Sequence, residues 1–324
     1  MKRRIIALAA FVLSAGLFLP GAASALTFSP PTFDVSAKPG QILSQTLKLR
    51  NESTLPVTFR ASTASFAGKP GDETSGVPDF YPSNEARDGH GLGAWISFTT
   101  AEFTLLPGER AELPFTITVP KEAGPGSYFG AVILGTKAGE TSENVGITGT
   151  AAALVLLKVE GEIVEALKVD DFSAPSLSTS LPVRFEALIT NNGTVHERPY
   201  GEVIVRNVFG QEVAVLAMNR AEYKSVLPSM SRRYSTAWQR RALEKDASIL
   251  TRQWRNFAFG FYTAEMRLRY GEDGRILSSM TRFWVIPWLT LLIFIGGGAA
   301  LIWSLRRLLA WYQDRIIRRH EKGI

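Results

Sequence analysis

Leu47-Lys48-Leu49-Arg50-Asn51-Glu52-Ser53-Thr54, with Leu105-Leu106-Pro107-Gly108 further on, has a counterpart later in the chain: Leu188-Ile189-Thr190-Asn191-Asn192-Gly193-Thr194-Val195, with Val226-Leu227-Pro228-Ser229. Both stretches begin as alternating strands and run into an asparagine turn. An extended segment follows each, Val57-Thr58-Phe59-Arg60 in the first and Gly201 to Val205 in the second. Each Leu-Pro turn then leads into another alternating strand, Glu112 to Val119 or Tyr234 to Trp238. Alternation of this period marks strands with one buried face, and Pro-Gly or Asn-Gly pairs between them mark tight turns. Aligning Asn51 with Asn192 makes the chain a tandem repeat of two modules. Gly68 to Gly93, rich in Gly, Pro and Asp, accounts for the longer middle of the first module and reads as a surface loop.

Outside this repeat the ends of the chain are apolar. Lys2, Arg3 and Arg4 precede an uncharged run from Ile5 to Phe18, and Ala23-Ser24-Ala25 supplies the small residues of a cleavage site, so residues 1–25 read as a signal peptide. Phe283 to Leu305 is uncharged and long enough to cross a bilayer's ~30 Å hydrocarbon core. Trp284, Trp288 and Trp303 flank it as interfacial anchors, with Arg306 and Arg307 at its far end. Basic residues concentrate in the tail 306–324, which places that tail in the cytoplasm and the rest outside. The expectation is a single-pass protein of the cytoplasmic membrane. Its ectodomain is all-β, two tandem immunoglobulin-like antiparallel β-sandwiches over residues 26–162 and 163–282, with one C-terminal transmembrane helix.

The net charge of +6 does not point to nucleic acid. Of 36 basic and 30 acidic residues, three basic ones lie in the leader, and six basic and two acidic ones in the tail, which leaves 27 against 28 for the region between. With no cysteine and three histidines, thiolate catalysis is excluded and no metal spacing or cofactor motif is present. No nucleophile motif is visible and nothing points to a serine–histidine–carboxylate set, so the chain reads as a non-enzyme.

Two segments suggest binding. Asp79, Phe80, Tyr81, Glu85 and Asp88 gather carboxylates and aromatics on the long loop; rings there would stack on sugars, or else pack back onto the sandwich. Arg232, Arg233, Arg240, Arg241, Arg252 and Arg255 form a basic series suited to anionic wall polymers or the phosphates of the outer lipid leaflet, or simply to solvation. Trp95 begins an alternating run and reads as a core residue.

Ala94-Trp95-Ile96-Ser97-Phe98, Phe103 to Glu109, Pro114 to Pro120 and Pro125 to Val132 resemble the N-terminal domain of the WxL-interacting proteins of bacterial surfaces. Asn191 to His196 and Phe259 to Glu265 are similar in pattern to that family's membrane-proximal domain. The resemblance implies a non-enzymatic surface protein that engages cell-wall peptidoglycan or another surface protein. The alternative is a structural or chaperone-like envelope assembly component acting through β-strand augmentation, since the strand–Asn–strand and Leu-Pro-Gly patterns distantly resemble periplasmic pilus chaperones.

Overall fold

A computed structural model describes residues 26–74, 76–85, 87, 89–136, 150–222, 224–242 and 247–321. The signal-peptide reading of residues 1–25 and the candidate Asp88 lie outside them. The described residues divide into two compact units, one taking in 26–71, 76–164 and 194–196, the other 72–74, 165–193 and 197–321.

In the first unit, β1 (Leu26–Ser29), β3 (Ile42–Asn51), β8 (Arg110–Thr118) and β6 (Ile96–Phe98) form one sheet in the order β1-β3-β8-β6. The facing sheet runs β2 (Thr32–Ala37), β10 (Thr150–Val159), β9 (Gly126–Thr136), β4 (Val57–Ala67) and β5 (Asp79–Pro82), with β7 (Glu102–Leu105) also on β4. Leu47, Leu49, Leu113, Phe115 and Ile117 of one sheet meet Phe33, Phe59, Val132, Leu134 and Val155 of the other in a single core. Phe33 meets Phe115 edge-on at 5.1 Å, a geometry that adds roughly 1 kcal/mol to area burial. Trp95 packs partly buried against this core, with its ring 4.5 Å from that of Tyr128.

The second unit repeats the plan. One sheet is β11 (Leu167–Ser173), β13 (Val183–Asn191) and β16 (Ser231–Trp238). The other is β12 (Leu177–Ser178), β18 (Arg275–Val285), β17 (Gly260–Tyr270), β14 (Tyr200–Asn207) and β15 (Glu212–Met218). In both units the chain leaves the first sheet after its opening strand and joins the second sheet parallel to that unit's last strand, β2 on β10 and β12 on β18. Trp238, Tyr262, Phe185 and Phe283 form the aromatic centre of this core. The architecture is two immunoglobulin-like sandwiches and one long helix.

The asparagine motif is the same machine in each unit, with one shift from the sequence alignment: Asn51 corresponds to Asn191, not Asn192. Asn51 Nδ2 donates to Leu105 O at 3.0 Å, and Asn191 Nδ2 donates to Val226 O at 2.9 Å. Gly108 N donates to Asn51 O and Ser229 N to Asn191 O, with Gly108 and Ser229 both at positive φ, 74° and 58°. Each buried amide thus ties the end of a strand to the Leu-Pro turn that begins another, and satisfies backbone carbonyls that water cannot reach.

Two helices complete the second unit: α1 (Ile249–Arg255), capped by the Ser248 hydroxyl accepting from Thr251 N, and α2 (Trp288–Glu321). The apolar run Phe283 to Leu305 is therefore shared between two elements. Phe283 and Val285 are inward residues of β18 and fully buried, while Trp284 between them faces out. Pro287 lies between strand and helix, and its missing N–H and disfavoured preceding helical conformation suit a helix start there. Residues Trp288–Gln313, 26 in number, make a helix long and apolar enough to cross a membrane, about 39 Å at 1.5 Å per residue.

Candidate functional site

The first unit leaves part of a strand unpaired at the outer edge of β3. Val119 N donates to Gln41 O and Asn51 N to Glu109 O, so odd-numbered residues of β3 turn their backbone groups toward β8. Strand alternation then turns Ile42, Ser44 and Thr46 to the other side. There β1 covers only Lys48 to Asn51, because Pro30-Pro31 carries the chain across to the facing sheet after Ser29. Among the described residues, no ladder partner reaches Ile42 to Leu47 on that side. This edge carries no charge and no proline, and Ile42 is 63% exposed.

Two other stretches of edge are guarded. β8 extends past β6 as Arg110 to Pro114, but its outward-turned residues are Arg110, Glu112 and Pro114, two charges and a residue without an N–H. Among the described residues β18 has no ladder partner along Arg275 to Phe283 on its outer side, yet β11 runs beside it and Arg275 Nη1 reaches over to Glu165 O at 2.6 Å.

Next to this edge a groove of about 460 Å³ crosses β1, β3 and β8, lined by Thr27, Ser29, Lys48, Arg50, Arg110 and Glu112 together with Phe28, Leu49 and Ala111, which pack into the core. Arg50 and Arg110 stand directly opposite each other in the β3–β8 register, an unfavourable like-charge pair. Arg50 is relieved by Glu52 at 3.1 Å; Lys48 and Arg110 have no ion-pair partner among the described residues. The groove carries three basic side chains and one acidic one, Glu112, which stands opposite Lys48 in the β3–β8 register. Sequence reading passed over Ile42, Ser44, Thr46, Lys48 and Arg110; the available signal was Pro30-Pro31 following so short a first strand.

The loop residues chosen from sequence form their own small assembly. Asp79, Phe80 and Tyr81 belong to β5, which pairs with β4 from Ala64 to Ala67. Tyr81 is 3% exposed, with the Arg87 guanidinium 5.0 Å over its ring, and Phe80 lies edge-on to Phe66 at 6.0 Å. Arg87 also bonds Glu85 at 3.2 Å and reaches Asp79 at 3.7 Å.

The arginine series separates into two groups. Arg232 and Arg233 begin β16, where Arg232 Nη1 donates to Ser225 O and Arg233 pairs with Glu73 at 3.1 Å and Glu186 at 3.6 Å. Arg240 and Arg241 follow the strand, roughly 20 Å further along an extended chain. Their backbone N–H groups donate to Asn256 Oδ1 at the end of α1, near Arg252 and Arg255. Trp284 and Trp288 are half-exposed about the start of α2; further along α2, Trp303 carries the Arg307 guanidinium 5.3 Å over its ring, next to Arg306.

A serine–histidine–aspartate set does exist, in the first unit. His196 Nε2 bonds Asp34 Oδ1 at 3.0 Å and Nδ1 bonds Ser127 Oγ at 2.7 Å. A carboxylate only accepts, so Nε2 donates to Asp34; in the tautomer with its one proton on Nε2, Nδ1 accepts the hydrogen bond from the Ser127 hydroxyl. The Ser127 hydroxyl also accepts from His196 N, and Ser127 has no solvent exposure. An oxygen so enclosed does not meet a substrate; the set is a clasp. Among the described residues no group of three or more His, Asp or Glu side chains could hold a metal ion.

No family model matches the sequence and no curated protein is similar to it. Solved structures of similar fold include fimbrial chaperones. The class 5 fimbriae chaperone CfaA is 14% identical, covering 79% of this chain and 99% of its own with a TM-score of 0.38. Pseudomonas aeruginosa CupB2 chaperone is 11% identical, covering 79% and 100% with a TM-score of 0.37. A chain of the complex between Salmonella enterica SafA pilin and SafB chaperone is 10% identical, covering 81% and 97% with a TM-score of 0.37. The resemblance to the WxL-interacting proteins is thereby corrected, and with it the peptidoglycan-binding role it implied: no model of such a family matches the sequence. The quoted motifs were strand and turn residues, which many β-sandwiches share.

Proposed function

We propose that this chain is a non-enzymatic, membrane-anchored envelope assembly component that holds a partner protein by adding the partner's strand to β3. The uncharged open edge at Ile42 to Leu47 carries this reading. An incoming strand would continue the line that β1 abandons at Ser29. It would take up the backbone groups of Ile42, Ser44 and Thr46, with alternate side chains over the exposed face of Ile42. Over about six residues, or ~20 Å, such pairing is sequence-tolerant, and Lys48 and Arg110 in the adjoining groove add a preference for a partner with an acidic residue beyond the paired stretch. The likeness to chaperones is consistent with a protein partner. In this reading α2 spans the cytoplasmic membrane once, with Arg306 and Arg307 on the cytoplasmic side and both sandwiches outside.

The chain has no cysteine, so Thr46→Cys carries a photo-cross-linker at a unique exposed site. In membranes of the source cell we expect one adduct of defined mass, which Ser44→Pro in the same chain abolishes. That proline removes an edge N–H which no β3–β8 hydrogen bond uses. No adduct, or an adduct indifferent to Ser44→Pro, contradicts the proposal.

A further inference from the structure

We infer that α1 and the segment following it form a lipid-facing platform that lies in the headgroup region of the bilayer around the base of α2. The inference rests on the reading of α2 as a membrane span.

α1 is fastened to the start of that helix. Gln253 Oε1 accepts from Thr290 N at 3.0 Å and from Thr290 Oγ1 at 3.2 Å, and Gln253 and Thr290 are both buried. Thr290 N is one of the first-turn amides that lack an intrahelical partner, so the glutamine serves as a cap supplied from another element. Trp254 stacks on Phe294 with centroids 5.9 Å apart and planes at 22°. Phe294 lies six residues into α2, about 9 Å along its axis. The stack therefore sets α1 at the depth where interfacial helices settle, roughly 5–10 Å into the headgroup and acyl boundary.

The side chains around this clamp suit that depth. Trp254 remains 62% exposed despite its stack, and Ile249, Leu250, Phe257 and Phe259 are exposed as well. So many large apolar groups on one short segment are a liability in water and an anchor in lipid. Arginines supply the complementary charge: Arg252 and Arg255 in the last turn of α1, and Arg240 and Arg241 held beside it by Asn256. Guanidinium groups at this level pair with lipid phosphates. The occupant is thus a phospholipid bilayer, and the platform fixes how the second sandwich stands on the membrane.

The test uses the full chain in vesicles of phosphatidylcholine and phosphatidylglycerol, with single nitroxide labels on Ile249→Cys, Phe257→Cys, Phe209→Cys and Gly296→Cys. Phe209, in the β14–β15 hairpin, is 83% exposed and serves as the water reference; Gly296 lies within α2. The expected result is strong oxygen access at Ile249 and Phe257, with access to a water-soluble nickel chelate several-fold below that at Phe209. If both labels match Phe209 while Gly296 is shielded from nickel, α2 spans and the platform is refuted. If Gly296 itself is open to nickel, the span fails and the platform fails with it.

Discussion

His196 Nδ1 lies 2.7 Å from the Ser127 hydroxyl, across 69 positions of sequence, and the same oxygen accepts the His196 backbone N–H at 2.8 Å. Ser127 N in turn donates to Thr194 O at 3.2 Å, so residues 194–196 are stitched to β9 by backbone and side chain together. Ser127→Ala removes one oxygen and orphans two buried partners. We expect a loss of about 2 kcal/mol in chemical denaturation of the first unit, with partner cross-linking at Thr46→Cys unchanged.

The asparagine anchors make a paired prediction. Asn51→Asp keeps the acceptor for Ser53 but removes the Nδ2 donor to Leu55 O and Leu105 O, and it buries a carboxylate against carbonyls. A destabilisation of about 3 kcal/mol is expected, and Asn191→Asp should cost a similar amount through Val226 O. Asn192→Asp, at the position the sequence alignment favoured, should stay within about 0.5 kcal/mol. Equal effects at Asn191 and Asn192 would show that the repeat is misaligned.

Glu265 gives the second unit an acid-sensitive component. Arg267 Nε donates to Oε1 at 2.5 Å and Arg206 Nη1 to Oε2 at 2.6 Å, and these bonds hold the carboxyl below the usual carboxylate range. Because the folded value is depressed, its stabilisation is complete above the unfolded value, about 4.3, and fades as pH falls through the folded value. Denaturation midpoints of the native chain and Glu265→Gln should therefore differ at neutral pH and converge in acid. A difference that grows toward acid would reverse the assignment.

Gly201 on β14 leaves no room for a side chain: a Cβ there would stand 2.1 Å from Arg267 O on the neighbouring strand. Backbone cannot rotate aside as a side chain can, so Gly201→Ala should cost about 3 kcal/mol. Gly135→Ala, on β9 with nothing near, should change stability by less than about 1 kcal/mol.

Much of the architecture was legible because it is written locally. Period-2 runs, Pro-Gly turns and the repeated asparagine motif specify two sandwiches without any long-range information. The boundary at Phe283 was not legible: an inward Phe, an outward Trp and an inward Val read as one apolar run with the helix that follows. Asn191 and Asn192 are adjacent and equally turn-prone, and what distinguishes them is contact with a segment far along the chain, the Val226 carbonyl in the turn before β16. The sequence left open whether Tyr81 faces a ligand or packs back onto the sandwich, because only the pairing of β5 with β4 turns it inward. Trp254 and the nearby arginines were visible as composition, but their attachment to α2 depends on Gln253 and Thr290 meeting in space. The β3 edge is a missing partner, and a missing partner leaves no mark in the residues that lack it.

Residue-resolved amide hydrogen exchange across Ile42 to Leu47 tests the central claim most directly, in the free chain and in the complex captured at Thr46→Cys. The account predicts alternation in the free chain, with fast exchange at Ile42, Ser44 and Thr46 and slow exchange at Leu43, Gln45 and Leu47, and protection of the three fast amides in the complex. Uniformly slow exchange in the free chain, or no added protection in the complex, would contradict it.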